Sequence, residues 1–482
     1  MNTTFHDRRV TIIGMAREGT ALARFLARGG AKVTVSDTRG IAELADEIGQ
    51  LAGLPIQCVL RGHPPDILNT DVVFVSPGVP REVPILRQAA ARGLPLSSET
   101  ELLFDLCPAP IIGITGSSGK TTTTTLIGGM LKTDRRRRVW VGGNIGKPLI
   151  EDVAGMRPDD WVALELSSFQ LEHLRRSPHI AVLTNVRPNH LDRHSSYEAY
   201  KEAKSHILRF QSADDVAVLN WDDPESRDFA ALTQGRVRWF SHRERLPEGT
   251  FVDDHGAIIV QHGGETLRIC SVEQVALPGS HNLENLLAAV SVAAAVGISP
   301  AAVARVATSF RGVEHRLELV REHRGVRWIN DSIATSPDRT IAALHAFSTA
   351  GEPQTGPARG GMVQVEECTG QRIVLLAGGR DKHLPMDEMA REIMTHVKHL
   401  VLFGESAPVI QQAIESARAQ ANGSGRAVAL TVCRTLEEAV AVADEVAESG
   451  DIVLLSPSGT SFDVFKDFES RGQRFKELVR AL

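Results

Sequence analysis

Ile111-Ile112-Gly113-Ile114-Thr115-Gly116-Ser117-Ser118-Gly119-Lys120-Thr121-Thr122 is the stretch on which the reading of this chain turns. An apolar, β-branched run enters a glycine-rich turn, which passes through Lys-Thr-Thr into an amphipathic continuation. That is a buried strand, a loop and a helix N-terminus in succession. Gly116 and Gly119 free the backbone to aim N–H groups at one anion, where the helix dipole adds positive potential. Lys120 has the reach for β- and γ-phosphates, and the Thr121 hydroxyl can hold Mg²⁺. The strict phosphate-loop spacing puts glycine at position 114, where Ile114 stands, so the generic pattern fails by one residue. The alternative is a strand–helix turn without a ligand, and Gly-Lys-Thr-Thr is a costly way to build one.

Composition bounds what surrounds this loop. At 482 residues the chain is long enough for about three domains. A 42% apolar content supplies several cores, and 53 basic against 59 acidic residues leave a net charge of −6. Without a long basic face, nucleic acid is a poor expectation as partner; the run Arg135-Arg136-Arg137-Arg138 reads as a solvated turn, with an anion contact as the alternative. Cys58, Cys107, Cys270, Cys368 and Cys433 are scattered and form no Cys-x-x-Cys pair. Reduced thiols are expected, without disulfides or a zinc cluster. No signal peptide is read at the N-terminus, and the longest apolar run, Leu286 to Ile298, is too short for a bilayer. The expectation is a cytoplasmic protein with no membrane association.

Taken in order, residues 1–107 read as an α/β unit. Val10 to Gly14 is a strand, Ala21 to Ala27 a helix, and Lys32 to Asp37 a second strand that ends in an acid. A further strand, Asp71 to Val75, leads to the turn Ser76-Pro77-Gly78. Ligands of open α/β sheets gather at such carboxyl ends, although Gly14-x-x-x-x-Gly19 lacks the dinucleotide fingerprint. Pro108 and Pro110 mark a linker, and residues 108–312 form the second unit around the phosphate loop. There Val139 to Gly146 runs into a glycine-rich turn. Glu165 stands alone in an apolar strand, Trp161 to Leu166, where a buried acid needs a partner or a metal. Ile180 to Val186 leads to His190, a cation or phosphoryl contact, or a hydrogen-bonded loop residue. Tyr197 to Phe210 is helical, with Lys201 and Lys204 on neighbouring faces; by itself that places Lys204 in solvent. Asn282 and Asn285 share a face at the start of an Ala-rich helix. Residues 313–482 alternate strands and helices again, implying a third parallel sheet. Ser348 to Gln371, rich in Gly, Pro, Glu and Gln, reads as a mobile loop.

Together these motifs resemble the Mur ligase family. The resemblance spans nearly the whole chain: the phosphate loop, Gly142-Gly143-Asn144-Ile145-Gly146, Glu165-Leu166-Ser167-Ser168-Phe169-Gln170, Pro188-Asn189-His190-Leu191-Asp192-Arg193-His194, His281-Asn282-x-x-Asn285, His315-Arg316 and Asn330-Asp331-Ser332. The stretch Leu454 to Phe475 is similar to the glutamate-adding branch. The resemblance implies three α/β domains: an N-terminal Rossmann-like domain, a central phosphate-loop ATPase with a mostly parallel sheet, and a C-terminal Rossmann-like domain. It also implies ATP-driven ligation of glutamate, the D enantiomer expected, to UDP-N-acetylmuramoyl-L-alanine by way of an acyl phosphate.

By the same resemblance, Gly116, Ser117, Ser118, Gly119, Lys120, Thr121 and Thr122 hold ATP phosphates. Asn282, Arg316 and Asp331 hold adenine, phosphates and ribose. Mg²⁺ at two sites falls to Thr121, Glu165, His190 and Lys204, the last as a lysine carbamate. Catalysis is assigned to Lys120, Glu165, His190 and Lys204. Asp37, Thr38, Arg39, Ser76, Gly78 and Asn144 match uridine-nucleotide contacts, and Thr335, Lys382, Ser461 and Phe468 match glutamate contacts. A monomer is expected. Three departures stand out: Ser117-Ser118 for Thr-Asn, Ile333 for lysine, and Ser458-Gly459-Thr460 for Ala-Cys-Ala. The last two fall where the glutamate enantiomers would be told apart. Rival readings are another Mur ligase or folylpolyglutamate synthetase, and a nucleotide-binding module that performs no ligation.

Overall fold

The computed structural model describes residues 5–80, 82–172, 174–189, 193–277, 279–348, 372–381, 384–420, 428–461 and 463–482. His190, Lys382 and the expected loop beyond residue 348 lie outside the described residues. By internal contacts the chain divides into two compact units, Met1–Arg311 and Gly312–Leu482.

The first unit contains two sheets. One is fully parallel, with spatial order Ile56–Val59, Lys32–Ser36, Arg9–Ile13, Val72–Val75, Leu96–Ser97. Its order reverses beside Arg9–Ile13, so the loops after Ile13, Ser36 and Val75 open onto one crevice. The reading of a strand through Val75 holds, and Pro77 then enforces the turn. The helix after Ile13 is longer than the sequence suggested, running Arg17–Arg28, with its apolar residues turned inward.

The second sheet has nine strands: Glu265–Ser271, Ala257–His262, Gly249–Val252, Arg236–Ser241, Val216–Asn220, Ile180–Leu183, Ile111–Thr115, Trp161–Glu165, Val139–Gly143. Pairing is parallel except for the two antiparallel contacts of Ala257–His262. Ile111–Thr115 and Ile180–Leu183 are buried throughout, as parallel strands covered on both faces must be. The antiparallel edge went unread in the sequence, although Gly263-Gly264 between two β-rich runs is a hairpin signal. Arg135–Arg138 follow the helix Lys120–Leu131 and are exposed, as expected.

In the second unit the order is Glu318–His323, Val326–Asn330, Ile452–Ser458, Ile373–Gly378, Val397–Phe403, Ala429–Val432, with only the first pair antiparallel. The core strand Ile452–Ser458 is buried along its length. Among the described residues, no helix is long and apolar enough to cross a membrane.

Candidate active site

The helix Lys120–Leu131 starts at Gly119, which has φ 80° and offers no side-chain cap. The loop's two glycines leave no room for a side chain. A Cβ on Gly116 would lie 1.9 Å from Thr184 Oγ1, and one on Gly119 would lie 2.0 Å from Asn285 Oδ1. The loop is clamped from the neighbouring strand end. Thr184 Oγ1 donates to Ser118 O (2.7 Å), and Ser118 N donates to Asn185 Oδ1 (3.1 Å). The Ser117 hydroxyl donates to Arg187 O (2.9 Å) and lies 2.8 Å from the Tyr200 hydroxyl. Ser117-Ser118 therefore brace the loop through small hydroxyls and backbone. Thr122, in the first helical turn, is half-buried. The result is a preformed anion cradle at an uncapped helix start, which fits a polyphosphate. Lys120 folds over the cradle, its Nζ donating to Gly116 O (2.9 Å) and Ser117 O (3.2 Å).

Beside the cradle, Glu165 is 2% exposed. Its Oε2 accepts from Thr121 Oγ1 (2.8 Å) and its Oε1 from Asn144 Nδ2 (3.0 Å). An ionisable oxygen next to a hydroxyl oxygen is the donor set a hard divalent cation takes, so these residues fit Mg²⁺. Lys204 corrects the reading that its helix face is solvated. It is 1% exposed, and its Nζ donates to Gly116 O (2.9 Å) and Thr115 Oγ1 (3.2 Å) and sits 4.8 Å from the Tyr200 ring centroid. The helix Tyr197–Arg209 packs beneath the loop, which periodicity alone does not reveal. Burial pushes the Lys204 amine well below the usual lysine range, nearby Lys120 pushes it the same way, and Glu165 opposes both. Asn285, buried on the helix Ser280–Ala295, touches Thr123 Oγ1 (3.3 Å) and Asn282 Oδ1 (3.4 Å), so Asn282 stands near the same helix start.

A cavity of about 550 Å³ opens at the crevice of the first sheet, lined by Asp37, Thr38, Arg39, Ser76 and Gly78 among others. Asp37 accepts from Met15 N (2.8 Å) and from the Arg39 backbone and guanidinium. Burial would raise this carboxyl, but those bonds overcome it and hold it at about 2. A second cavity, about 300 Å³, is lined by Lys120, Asn144, Ser168, Tyr200 and Lys204. The two share Glu18, Pro77 and Gly78, so a ligand seated on the first sheet can reach the phosphate loop. A larger cavity of about 800 Å³ lies by Arg9 and Lys32, at the opposite, amino ends of these strands, away from this chemistry.

The sequence reading missed the residues that join the two sheets here. Arg17 donates to Gly143 O and Gly146 O (3.0 Å each), flanking Asn144. Gln170 Nε2 donates to Glu18 Oε1 (2.8 Å). The Glu18 residue is half-buried, but its carboxyl is enclosed; burial lifts it to about 7, against Arg17 and Gln170. Gln170 belongs to the quoted Glu165–Gln170 motif and also closes a capping box with Ser167, a signal legible in sequence.

In the second unit, Asp331 is 4% exposed at the end of Val326–Asn330. Leu317 N donates to its Oδ1 (3.2 Å) and Ser456 Oγ to its Oδ2 (3.0 Å), which sets the exposed Arg316 on the adjoining loop. Thr335 lies at the same sheet edge, half-buried. Arg471, fully buried, gathers Ser332 Oγ (3.0 Å), Ser332 O (3.0 Å), Gly459 O (3.1 Å) and Thr460 O (3.1 Å). It fixes the turn that carries Ser461; the sequence reading quoted it within the stretch Leu454 to Phe475 but gave it no role. Phe468 starts the helix Phe468–Ala481 and is half-buried. Asn282 belongs to the first unit and Arg316 and Asp331 to the second.

Known proteins match this layout. A Mur ligase MurD-like N-terminal domain matches residues 8–98, the Mur ligase middle domain 114–293 and the Mur ligase glutamate ligase domain 359–459. A UDP-N-acetylmuramoylalanine–D-glutamate ligase from Acetivibrio thermocellus is 41% identical over 100% of both chains. Another of that name from Symbiobacterium thermophilum is 44% identical over 98% of each. The solved UDP-N-acetylmuramate–alanine ligase from Thermotoga maritima shares the fold, with TM-score 0.51, 19% identity and coverage of 98% of this chain and 99% of that one. With full-length relatives at this identity and all three domain types in order along the sequence, the chain belongs to the Mur ligase family.

Proposed function

We propose that this chain is an ATP-dependent amide ligase that joins D-glutamate to UDP-N-acetylmuramoyl-L-alanine, releasing ADP and phosphate, in peptidoglycan precursor synthesis. The names of relatives alike over their full length support this reading. The observation that carries it is the cavity shared by Lys120, Asn144 and Lys204, continuous through Gly78 with the crevice of Asp37 and Arg39.

The roles are those that the family resemblance implies. The crevice residues Asp37, Thr38, Arg39, Ser76 and Gly78 hold the uridine nucleotide. Asn144, which lines the adjoining cavity, contacts the same uridine-nucleotide substrate. Gly116 to Thr122 cradle the ATP phosphates, with Asn282 at the adenine and Arg316 and Asp331 at phosphates and ribose. Lys120 neutralises charge on the transferring phosphoryl oxygens. The carboxylate attacks the γ-phosphorus, ADP leaves, and the acyl phosphate forms. The D-glutamate amine then attacks the acyl carbon, and the tetrahedral adduct expels phosphate to leave an amide. Thr335, Lys382, Ser461 and Phe468 receive the glutamate, Lys382 by pairing with its side-chain carboxylate.

Thr121, Glu165, His190 and Lys204 would hold Mg²⁺ at two sites; when bound, the metal neutralises phosphate charge. Lys204 supports the carbamate reading, because its amine is buried and biased toward the neutral form that adds CO₂ and loses a proton. The product is an anionic oxygen ligand. The working division is 1–107, 108–312 and 313–482, in a cytoplasmic monomer. The test is phosphate release with ATP, UDP-N-acetylmuramoyl-L-alanine and each glutamate enantiomer. Release only when the acceptor and D-glutamate are both present is expected. Equal release with either enantiomer, or release independent of the acceptor, overturns it.

A further inference from the structure

The second unit carries a convergence of ligand-type side chains away from the strand ends described above. His345 stands near the end of the helix Pro337–Ser348, and Glu392 and His396 lie one turn apart on the helix Asp387–His396. His345 Nε2 is 2.6 Å from Glu392 Oε2, and His396 Nε2 is 3.2 Å from that same oxygen. The two imidazoles meet nearly edge to face, their centroids 5.6 Å apart. One ligand atom from each of the three lies within 4.8 Å of the others.

We propose that His345, Glu392 and His396 form a binding site for a borderline divalent cation of the Zn²⁺ type. Two imidazole nitrogens and one carboxylate oxygen are a donor set zinc takes with three protein ligands and one open position. Tetrahedral bonds of about 2.0–2.1 Å put ligand atoms about 3.3 Å apart. The Glu392–His396 spacing already matches, and the Glu392–His345 spacing opens to that value by a small side-chain rotation. His345 is 52% exposed, so water can fill the fourth position. Both histidines sit in the last turns of their helices, where the helix dipoles favour a cation.

A second trio of the same residue types, Asp222, His242 and Glu284 in the first unit, lacks this openness. There Asp222 already accepts from Ser241 Oγ (2.6 Å) and His242 N (2.8 Å), and Asn220 bonds Glu284 (3.4 Å), which makes it an internal ion-pair network.

The test uses the full-length chain, stripped of metal and free of nucleotide, titrated calorimetrically with Zn²⁺ and spectroscopically with Co²⁺. Expected is one equivalent that is lost or weakened by roughly tenfold or more in His345→Ala and in His396→Ala. The visible Co²⁺ bands of a low-coordinate site disappear with it. A Zn²⁺-dependent rise in melting temperature should also vanish in both variants, while Mg²⁺-supported phosphate release stays at the wild-type rate. Both substitutions are at solvent-accessible positions, and the metal-free melting temperature reports that they fold. Zn²⁺ stoichiometry and Co²⁺ spectra unchanged in both variants, or no Zn²⁺ binding by the wild-type chain, overturn the site. A loss of Zn²⁺ binding on Glu165→Gln with none on His396→Ala overturns it as well, by placing the ion at the phosphate loop.

Discussion

Replacing Lys204 by alanine separates a ligand role from a packing role. The folded state loses two hydrogen bonds, to Gly116 O and Thr115 Oγ1. Neither acceptor is orphaned, because Lys120 Nζ also reaches Gly116 O and Thr115 Oγ1 still donates to Leu166 O. What remains is the cavity left by the buried methylenes, a cost of about 1–3 kcal/mol in stability. Relief of the repulsion with Lys120 offsets part of it. The chemical step should suffer far more. Losing a preorganised electrostatic contact at a reacting centre costs about 2.7–4 kcal/mol, or roughly 10²–10³ in kcat. Phosphate release under saturating ATP, acceptor and D-glutamate measures this, beside a melting curve of the same sample. Acetate or formate, small enough to occupy the vacated space, should restore part of the rate to the alanine variant and none to the wild type. A folded Lys204→Ala chain with wild-type kcat would refute the reasoning. So would a loss of rate that tracks the unfolded fraction alone.

Gly119→Ala places a Cβ against Asn285 Oδ1 at a φ of 80°, so the loop must open; expected is a loss of ATP binding by calorimetry while the uridine acceptor still binds. Asp331 is lifted from an ordinary 3.8 to about 7 by burial, against bonds from Ser456 and Leu317. Its proton stabilises the fold fully below pH 3.8, and that contribution is lost as pH rises toward 7, about 4 kcal/mol at most. Melting curves of wild type and Asp331→Asn across pH 4–8 should diverge with that sign, and parallel curves would contradict it. Arg471→Met removes four bonds to Ser332, Gly459 and Thr460, leaving buried carbonyls unsatisfied. A destabilisation of about 3 kcal/mol by denaturant and a raised KM for glutamate are expected.

The phosphate loop was legible because strand, glycines and Lys-Thr-Thr are contiguous and each carries its own local reason. Glu165 was legible because one acid in a buried strand needs a partner, and the structure supplies Thr121 and Asn144. The rest depends on residues distant in sequence. Lys204 lies on a helix whose pattern is compatible with solvent, and only packing beneath the loop buries it. Glu18 meets Gln170 across 152 residues, and Arg471 meets Ser332 across 139. No periodicity or spacing within either segment encodes such a meeting. The edge hairpin around Gly263-Gly264 is different: its signal was local and simply weaker than the motifs beside it.

The central claim is that this chain activates a carboxylate by phosphorylating it. The most direct measurement supplies UDP-N-acetylmuramoyl-L-alanine labelled with ¹⁸O in its free carboxylate and follows the label by mass spectrometry during turnover with ATP and D-glutamate. One ¹⁸O transferred to each phosphate released, with the other kept in the new amide, is the expected result. Phosphate free of label, alongside amide formation or without it, would contradict the claim.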